Sequence, residues 1–500
     1  MKRILALSLA AVTSACAMGP DYQRPELATP SSVTTLPDAP ELAGTELRSD
    51  WWNQFKDPVL TGLVDKAITN NPDIEAALAR IDQSRAFRGS VKSAGLPSLS
   101  ARSGANRLRQ SENAFDLGQL SQGGGGSQGP GNALPIAFGE AQKLFDAAGQ
   151  ASWEIDLFGR VRRRVEAASA RVQVAEEDYR GILVAIISDT VQSYADLRAA
   201  QAQLDIAREN LATAQKTEEL TNMLLSEGLV PEFDVSRARA ERRALEAAIP
   251  PLQALIRSRN AAIAALTGQT PDQTIEQMLV QGELNPIAAS IPAGLSSDLL
   301  RRRPDVRLAE RRLAAETADI GAEIADLYPS FSLSGLFGFT SLSLDTLFDS
   351  GSQQWSVGGA LNWPIFNGGR NRAEVREAKA GAAEARALYR AAVLGAFRDV
   401  DEALSVYVYT LREREFLKSV VEDRERVFAL SEMRYREGLD SLIVLLRAQT
   451  ALNAAKTNLA IADGQVLQTT VAAYRSLGGG WDYGEAQRTA SVASEFPSQQ

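Results

Sequence analysis

The residues able to do chemistry in this chain are few and unevenly placed. Histidine is absent and cysteine occurs once, as Cys16. Histidine general bases and histidine metal sites are therefore excluded. Cys16 stands after a charged start, Lys2-Arg3, a short apolar core from Ile4 to Val12, and the small pair Ser14-Ala15. That pattern reads as a secretory signal, too short to span a bilayer as a stable helix, ending at a bacterial lipoprotein cleavage site. The expected chemistry is a thioether from the thiol to diacylglycerol and an acyl chain on the new amino terminus, with about 0.8 kcal/mol of membrane affinity per buried methylene. Residues 1–15 are thus read as signal peptide and Cys16 as lipidated. Thr13, three before the cysteine, departs from the aliphatic residue usual there. Ala17 follows, where an aspartate would favour the inner membrane, so delivery to the outer membrane is expected.

No catalytic constellation emerges. Carboxylates lie among arginines at helical spacing, as in Glu413-Arg414 and Glu422 to Arg426, and read as solvated faces. The runs Arg162-Arg163-Arg164 and Arg301-Arg302-Arg303 open helices and are read as surface charge. The glycine-rich stretch 123–131 lacks the Gly-Lys-Ser/Thr ending of a phosphate cradle and reads as a surface loop. A formal charge of −9 argues against nucleic acid as a partner. The chain is read as no enzyme, with no cofactor and no metal.

The elements that position these residues form a duplicated half. Gly228 lies 68 residues after Arg160, and Gly438 lies 68 residues after Arg370. The stretches between are free of proline and rich in Ala, Arg, Glu and Leu, which predicts two helices of about 100 Å. Asn71-Pro72-Asp73 matches Arg303-Pro304-Asp305, and Leu96-Pro97-Ser98 matches Tyr328-Pro329-Ser330, with the two prolines 25 apart in each copy. The offset between copies is 232 at these prolines and 210 at the long helices, so the first copy carries extra chain between Pro97 and Arg160. Return helices are expected over Glu232 to Thr267 and Ser441 to Leu477, with a break or kink at Pro250-Pro251. The segments are 16–50, an extended Pro/Ser/Thr-rich strap; 51–290, the first repeat, with a connector from Gly268; 291–477, the second repeat; and 478–500, a tail with a disordered end.

Each repeat also holds a pair of alternating stretches. Phe331, Leu333, Gly335, Phe337 and Phe339 alternate with small or polar residues, as do Trp355, Val357, Gly359, Leu361 and Trp363. In the first repeat the pattern covers 98–106 and Ala151 to Leu157. Such strands suit a transmembrane barrel, with aromatic ends near the headgroups; a soluble hairpin in each repeat would share the pattern. Outside the signal no apolar run reaches the length of a spanning helix, so any crossing must be by a closed barrel. Four strands cannot close around water, so several chains must share one.

Gly19-Pro20-Asp21-Tyr22-Gln23-Arg24-Pro25 after the anchor cysteine, then Trp51-Trp52, Phe55, Asp57-Pro58 and Leu60, resemble the lipoproteins of the outer-membrane efflux family, TolC-like channels of the multidrug-pump branch. The duplication is shared with that family, so the resemblance covers nearly the whole mature chain. It implies a mainly α fold with membrane β: a trimeric β-barrel of four strands per chain, continued by a long α-helical barrel and internally duplicated. It implies the outer membrane of a Gram-negative bacterium, a homotrimer, contact with outer-membrane lipid, a periplasmic adaptor protein and a proton-driven inner-membrane multidrug pump. The helix-turn-helix tips would form a periplasmic mouth, with Gly228, Leu229, Val230, Gly438, Leu439 and Ser441 meeting the adaptor. Asp234 and Tyr435 match an aspartate and a tyrosine that hold the mouth shut. The sequence departs from the pattern nearby. Asp440 stands where a gate arginine would be, and Val444 and Arg447 where two constriction aspartates would be, which points to an arginine ring paired with Asp440 or Glu437. The leading reading is a passive drug-efflux conduit. The alternatives are a channel for ABC-driven protein or peptide secretion, whose branch usually lacks a lipid anchor, and a periplasmic coiled-coil scaffold.

Overall fold

The computed structural model describes residues 17–26, 36, 42, 48–109, 141–280, 291 and 301–486. Cys16, the signal segment, the glycine-rich loop 123–131 and tail residues 487–500 lie outside the described residues. The first repeat runs α1 (Pro58–Asn70), α2 (Pro72–Ser93), β1 (Ser98–Arg109), β2 (Ala141–Ile155), α3 (Arg160–Ser226), α4 (Glu232–Ala247), α5 (Ile249–Leu266) and α6 (Pro271–Leu279). The second runs α7 (Pro304–Ala325), β3 (Ser330–Ser341), β4 (Gln353–Asn362), α8 (Arg370–Arg436) and α9 (Leu442–Ser476). The fold is mainly α with one antiparallel sheet.

Both long helices span 67 residues, as expected. The return of the first repeat is broken at Ala248, whereas α9 is continuous for 35 residues. Pro250 and Pro251 explain the break. They lack the N–H groups that would bond back into α4, and they sit without cost in the first turn of a new helix. The connector after Gly268 contains α6, started by a capping box between Thr270 and Gln273.

Two compact units divide the chain, and each draws on both repeats: one holds residues up to 23, 85–170 and 314–383, the other the remainder. The first carries the sheet, in the order β1-β2-β3-β4, all neighbours antiparallel. β2 begins ten residues before the expected alternation, because β1 runs on to Arg109 and pairs it with Ala141. The register sets Trp153 opposite Leu333 and Leu333 opposite Gly359, so the apolar sets of three strands share one face. Ser152, Ser334 and Gly358 share the other. The duplication reaches single bonds. Trp153 Nε1 donates to Gly95 O at 3.0 Å, and Trp363 Nε1 to Leu327 O at 3.2 Å.

The second unit is built on aromatic rings. Trp51 and Trp52, in a 3-10 turn over Trp51–Phe55, are fully buried with Tyr194, Tyr407 and Tyr474. Trp51 stacks on Tyr474 at 4.8 Å between centroids, and Trp52 meets Tyr483 edge-on at 5.0 Å. Asp57 caps α1 through Val59 N and accepts from Tyr194 Oη at 2.5 Å, while Arg198 donates to the same phenol oxygen. Burial, then the neighbouring Asp57 carboxylate, pushes the Tyr194 pKa well up. The Trp-Trp-x-x-Phe-x-Asp-Pro string is thus a core motif. The first tail residues pack here too: Trp481 lies under Arg180 and Arg307 and donates to Arg302 O at 3.1 Å.

The arginine runs differ from their reading as surface charge. Arg163 and Arg303 are buried. Arg303 forks onto Asp305, reaches Asp399 at 3.1 Å, and donates to Ser476 O at 3.0 Å. Its counterpart Asn71 donates to Leu266 O, the matching carbonyl of the first return, at 2.9 Å. In each run one long side chain turns inward and reaches buried acceptors.

Candidate functional site

Both tips lie in the second unit. α3 ends on Gly228, φ 70°, and α8 on Gly438, φ 71°. Behind each glycine stand the same two bonds: Gly228 N to Leu225 O and Leu229 N to Leu224 O, matched by Gly438 N to Tyr435 O and Leu439 N to Arg434 O. These are Schellman turns, in which glycine takes a left-handed conformation that a side chain would resist. No atom stands within 4 Å of a Cβ built on either glycine, so only backbone strain opposes substitution. Leu229 and Leu439, next in each turn, are 70% and 65% exposed. Val230 and Ser441 complete the turns ahead of the return helices, and Ser441 makes no side-chain cap.

Beneath these turns the side chains differ. In the second tip Leu442, Leu445 and Leu446 of α9 pack against Phe428 and Tyr435 of α8. Arg434 closes the turn above them, with Nε to Asp440 Oδ2 at 2.6 Å and Nη2 to Oδ1 at 3.2 Å. That hydrogen bond, above all, holds the Asp440 carboxyl below its ordinary pKa. In the first tip the position of Phe428 is held by Glu218. It accepts from Arg242 Nε at 2.5 Å and Arg239 Nε at 3.3 Å across α3 and α4.

The expected gate residues are partly brought together. The Tyr435 hydroxyl is buried and makes no hydrogen bond among the described residues. Burial first, and the negative charge of Asp234 second, raise its pKa. Asp440 does not pair with Arg447 in the chain, because Arg434 takes both its oxygens. Arg447 is exposed, and no carboxylate pairs with it among the described residues. Sequence reasoning missed Arg434, Glu218, Arg239 and Arg242. The signal available was opposite charge flanking a turn glycine, four and two residues to either side of Gly438. Tyr435 feels the Asp234 carboxylate through its charge and not through a hydrogen bond.

The outer membrane efflux protein family model matches residues 63–269 and 295–479. The chain is 31% identical over 495 residues to outer membrane protein OprJ of Pseudomonas aeruginosa, covering 97% of each. It is 31% identical over 489 residues to the toluene efflux pump outer membrane protein TtgF of Pseudomonas putida, covering 96% of this chain and 97% of that one. Among solved structures, the outer-membrane channel OprN aligns with a TM-score of 0.82 at 35% identity, covering 93% of this chain and 100% of the other. The CmeC outer membrane channel of Campylobacter jejuni also gives 0.82, at 25% identity and 93% and 95% coverage. Family profile, full-length relatives and fold agree: this chain belongs to the outer membrane efflux protein family, an outer-membrane efflux channel and not an enzyme.

Proposed function

We propose that the chain is one third of a homotrimeric exit duct of a tripartite pump, passively conducting drugs or other small molecules from periplasm to exterior. The observation that carries this is the sheet. Four strands in one register present an apolar face and a small or polar face, and the outer edges of β1 and β4 have no strand beside them among the described residues. In a bilayer every backbone polar group must be paired, so the edges require further copies. Three chains give a twelve-stranded barrel whose small-residue face lines the passage. Energy comes from a proton-driven inner-membrane pump. The adaptor docks at Gly228, Leu229, Val230, Gly438, Leu439 and Ser441, where two exposed leucines offer apolar contacts. Asp234, Tyr435, Asp440 and Arg447 form the periplasmic gate, and Cys16 carries the lipid anchor.

Accumulation of a fluorescent pump substrate, in strains with and without this protein, tests the reading. Deletion should raise accumulation and complementation should restore efflux. Unchanged accumulation for a panel of dyes and antibiotics, with other exit channels also removed, would favour the secretion channel instead. The gate is tested separately with Tyr435→Phe. Loss of an unbonded buried hydroxyl should leave the tip fold intact, so increased antibiotic leak in this variant would mark a bond made only in the closed assembly.

A further inference from the structure

The segment Ala17 to Tyr22 does not trail from the sheet-bearing unit; it is seated on it. Arg163, 3% exposed, lies within α3's first turn. Its Nε donates to Met18 O at 2.9 Å, and Nη2 donates to Gly19 O at 3.3 Å and Asp21 Oδ1 at 2.8 Å. The remaining fork bonds Glu166 at 2.8 Å. Met18 N donates to Phe158 O at 3.2 Å, and Tyr22 packs on Ala170, Ala314 and Ala315. Three glycines let the backbones meet. A Cβ on Gly19, whose φ is +89°, would lie 2.5 Å from Gly321 Cα. One on Gly321 would lie 2.7 Å from Met18 O, and one on Gly159 2.8 Å from Ala17 Cα.

The duplication supplies a control within the molecule. The counterparts of Arg163, Gly159 and Gly321 in the other repeat are Ala373, Gly369 and Gly89. Nothing stands within 4 Å of a Cβ on Gly369 or Gly89. The cradle is therefore no by-product of the repeated fold; it is built once, where the segment lies. A buried guanidinium cannot shed its proton, and its Nε and Nη2 would lose their acceptors if the segment left. Segment and arginine depend on each other.

We propose that Arg163, Gly159 and Gly321 form a binding site for the chain's own N-terminal segment, and that Arg163 is the positioning residue that sets where the acylated Cys16 meets the membrane. Only that last clause rests on the reading of Cys16 as lipidated. The ligand is an extended peptide offering two carbonyls and a carboxylate to one planar fork, a geometry lysine cannot reproduce.

Hydrogen exchange of peptides covering residues 17–26, on the full-length protein purified from membranes, tests the site. Palmitate incorporation is measured in the same strains. Arg163→Ala and Arg163→Lys should each speed exchange at Met18 at least tenfold. Gly19→Val, which changes only the segment, should do the same while exchange in the sheet and thermal dissociation of the oligomer stay at wild-type values. That variant carries the test if the Arg163 substitutions fail to fold. Wild-type exchange at Met18 in folded Gly19→Val would overturn the site. Segment release with palmitate still incorporated supports the whole proposal. Arg163-dependent protection in a wild-type protein that takes up no palmitate would keep the site and overturn the lipid-positioning clause.

Discussion

At Gly228 and at Gly438 the chain makes the same turn, with φ of 70° and 71° and the same pair of hydrogen bonds behind it. Beneath the first turn Glu218 binds Arg239 and Arg242; beneath the second, Phe428 and Tyr435 pack on three leucines under the Arg434–Asp440 fork. One backbone is thus held by charge in one copy and by apolar packing in the other. The backbone solution depends on glycine and helix geometry, which the duplication preserves. The contacts below it differ between the copies without changing the turn. The consequence is an unequal response of the two tips. The charged tip answers to salt, and the apolar tip to changes of volume.

Truncating the apolar glue should have the largest effect. Leu445→Ala removes a buried side chain from the second tip and should cost about 2–5 kcal/mol locally. Its counterpart Val235→Ala in the first tip should cost about 1.6 kcal/mol, two methylenes' worth. Amide exchange in tip peptides reads both, and equal losses would break the comparison. Next come the glycines. Gly228→Ala and Gly438→Ala should each cost about 1–2 kcal/mol, from forcing a left-handed conformation with no steric clash added. Here the tips should respond alike, and a large difference would show that the turns are not equivalent.

Smaller effects should follow salt and pH. Raising ionic strength should loosen the first tip more than the second, and Glu218→Gln should abolish that difference in exchange rates. The second tip should loosen at both pH extremes. Arg434 lowers the pKa of Asp440, so that contribution is present above the unfolded carboxylate value and is lost as pH falls below about 4. The pKa of Tyr435 is raised, so the neutral phenol is favoured in the fold, and its contribution is lost as pH climbs past about 10. Tyr435→Phe should remove the alkaline limb and leave the acid limb. The smallest change is expected from replacing Pro250 and Pro251 together by alanine. It should slow exchange around Ala248 by joining α4 to α5, making the first return resemble α9.

Much of this fold is written locally. The 68-residue spacing, the turn glycines, the break at Pro250-Pro251 and the alternation in Phe331 to Phe339 rest on helix period, strand period and two special residues. Each acts within a few positions of itself, so the sequence alone determined the duplicated halves, the helix ends and which strand face is apolar. The tertiary structure decided the rest. That β2 pairs with β3, joining one repeat to the other, depends on residues nearly two hundred positions apart, as Trp153 and Leu333 are. Arg163 and Arg303 read as surface charge because nothing near them in sequence announces Met18 O, Gly19 O or Ser476 O as acceptors. Asp440 turned to Arg434 rather than Arg447 because the Schellman turn brings positions 434 and 440 together around Gly438. Periodicity settles which way a side chain points along its own element; what it meets there is settled only when distant segments close around it.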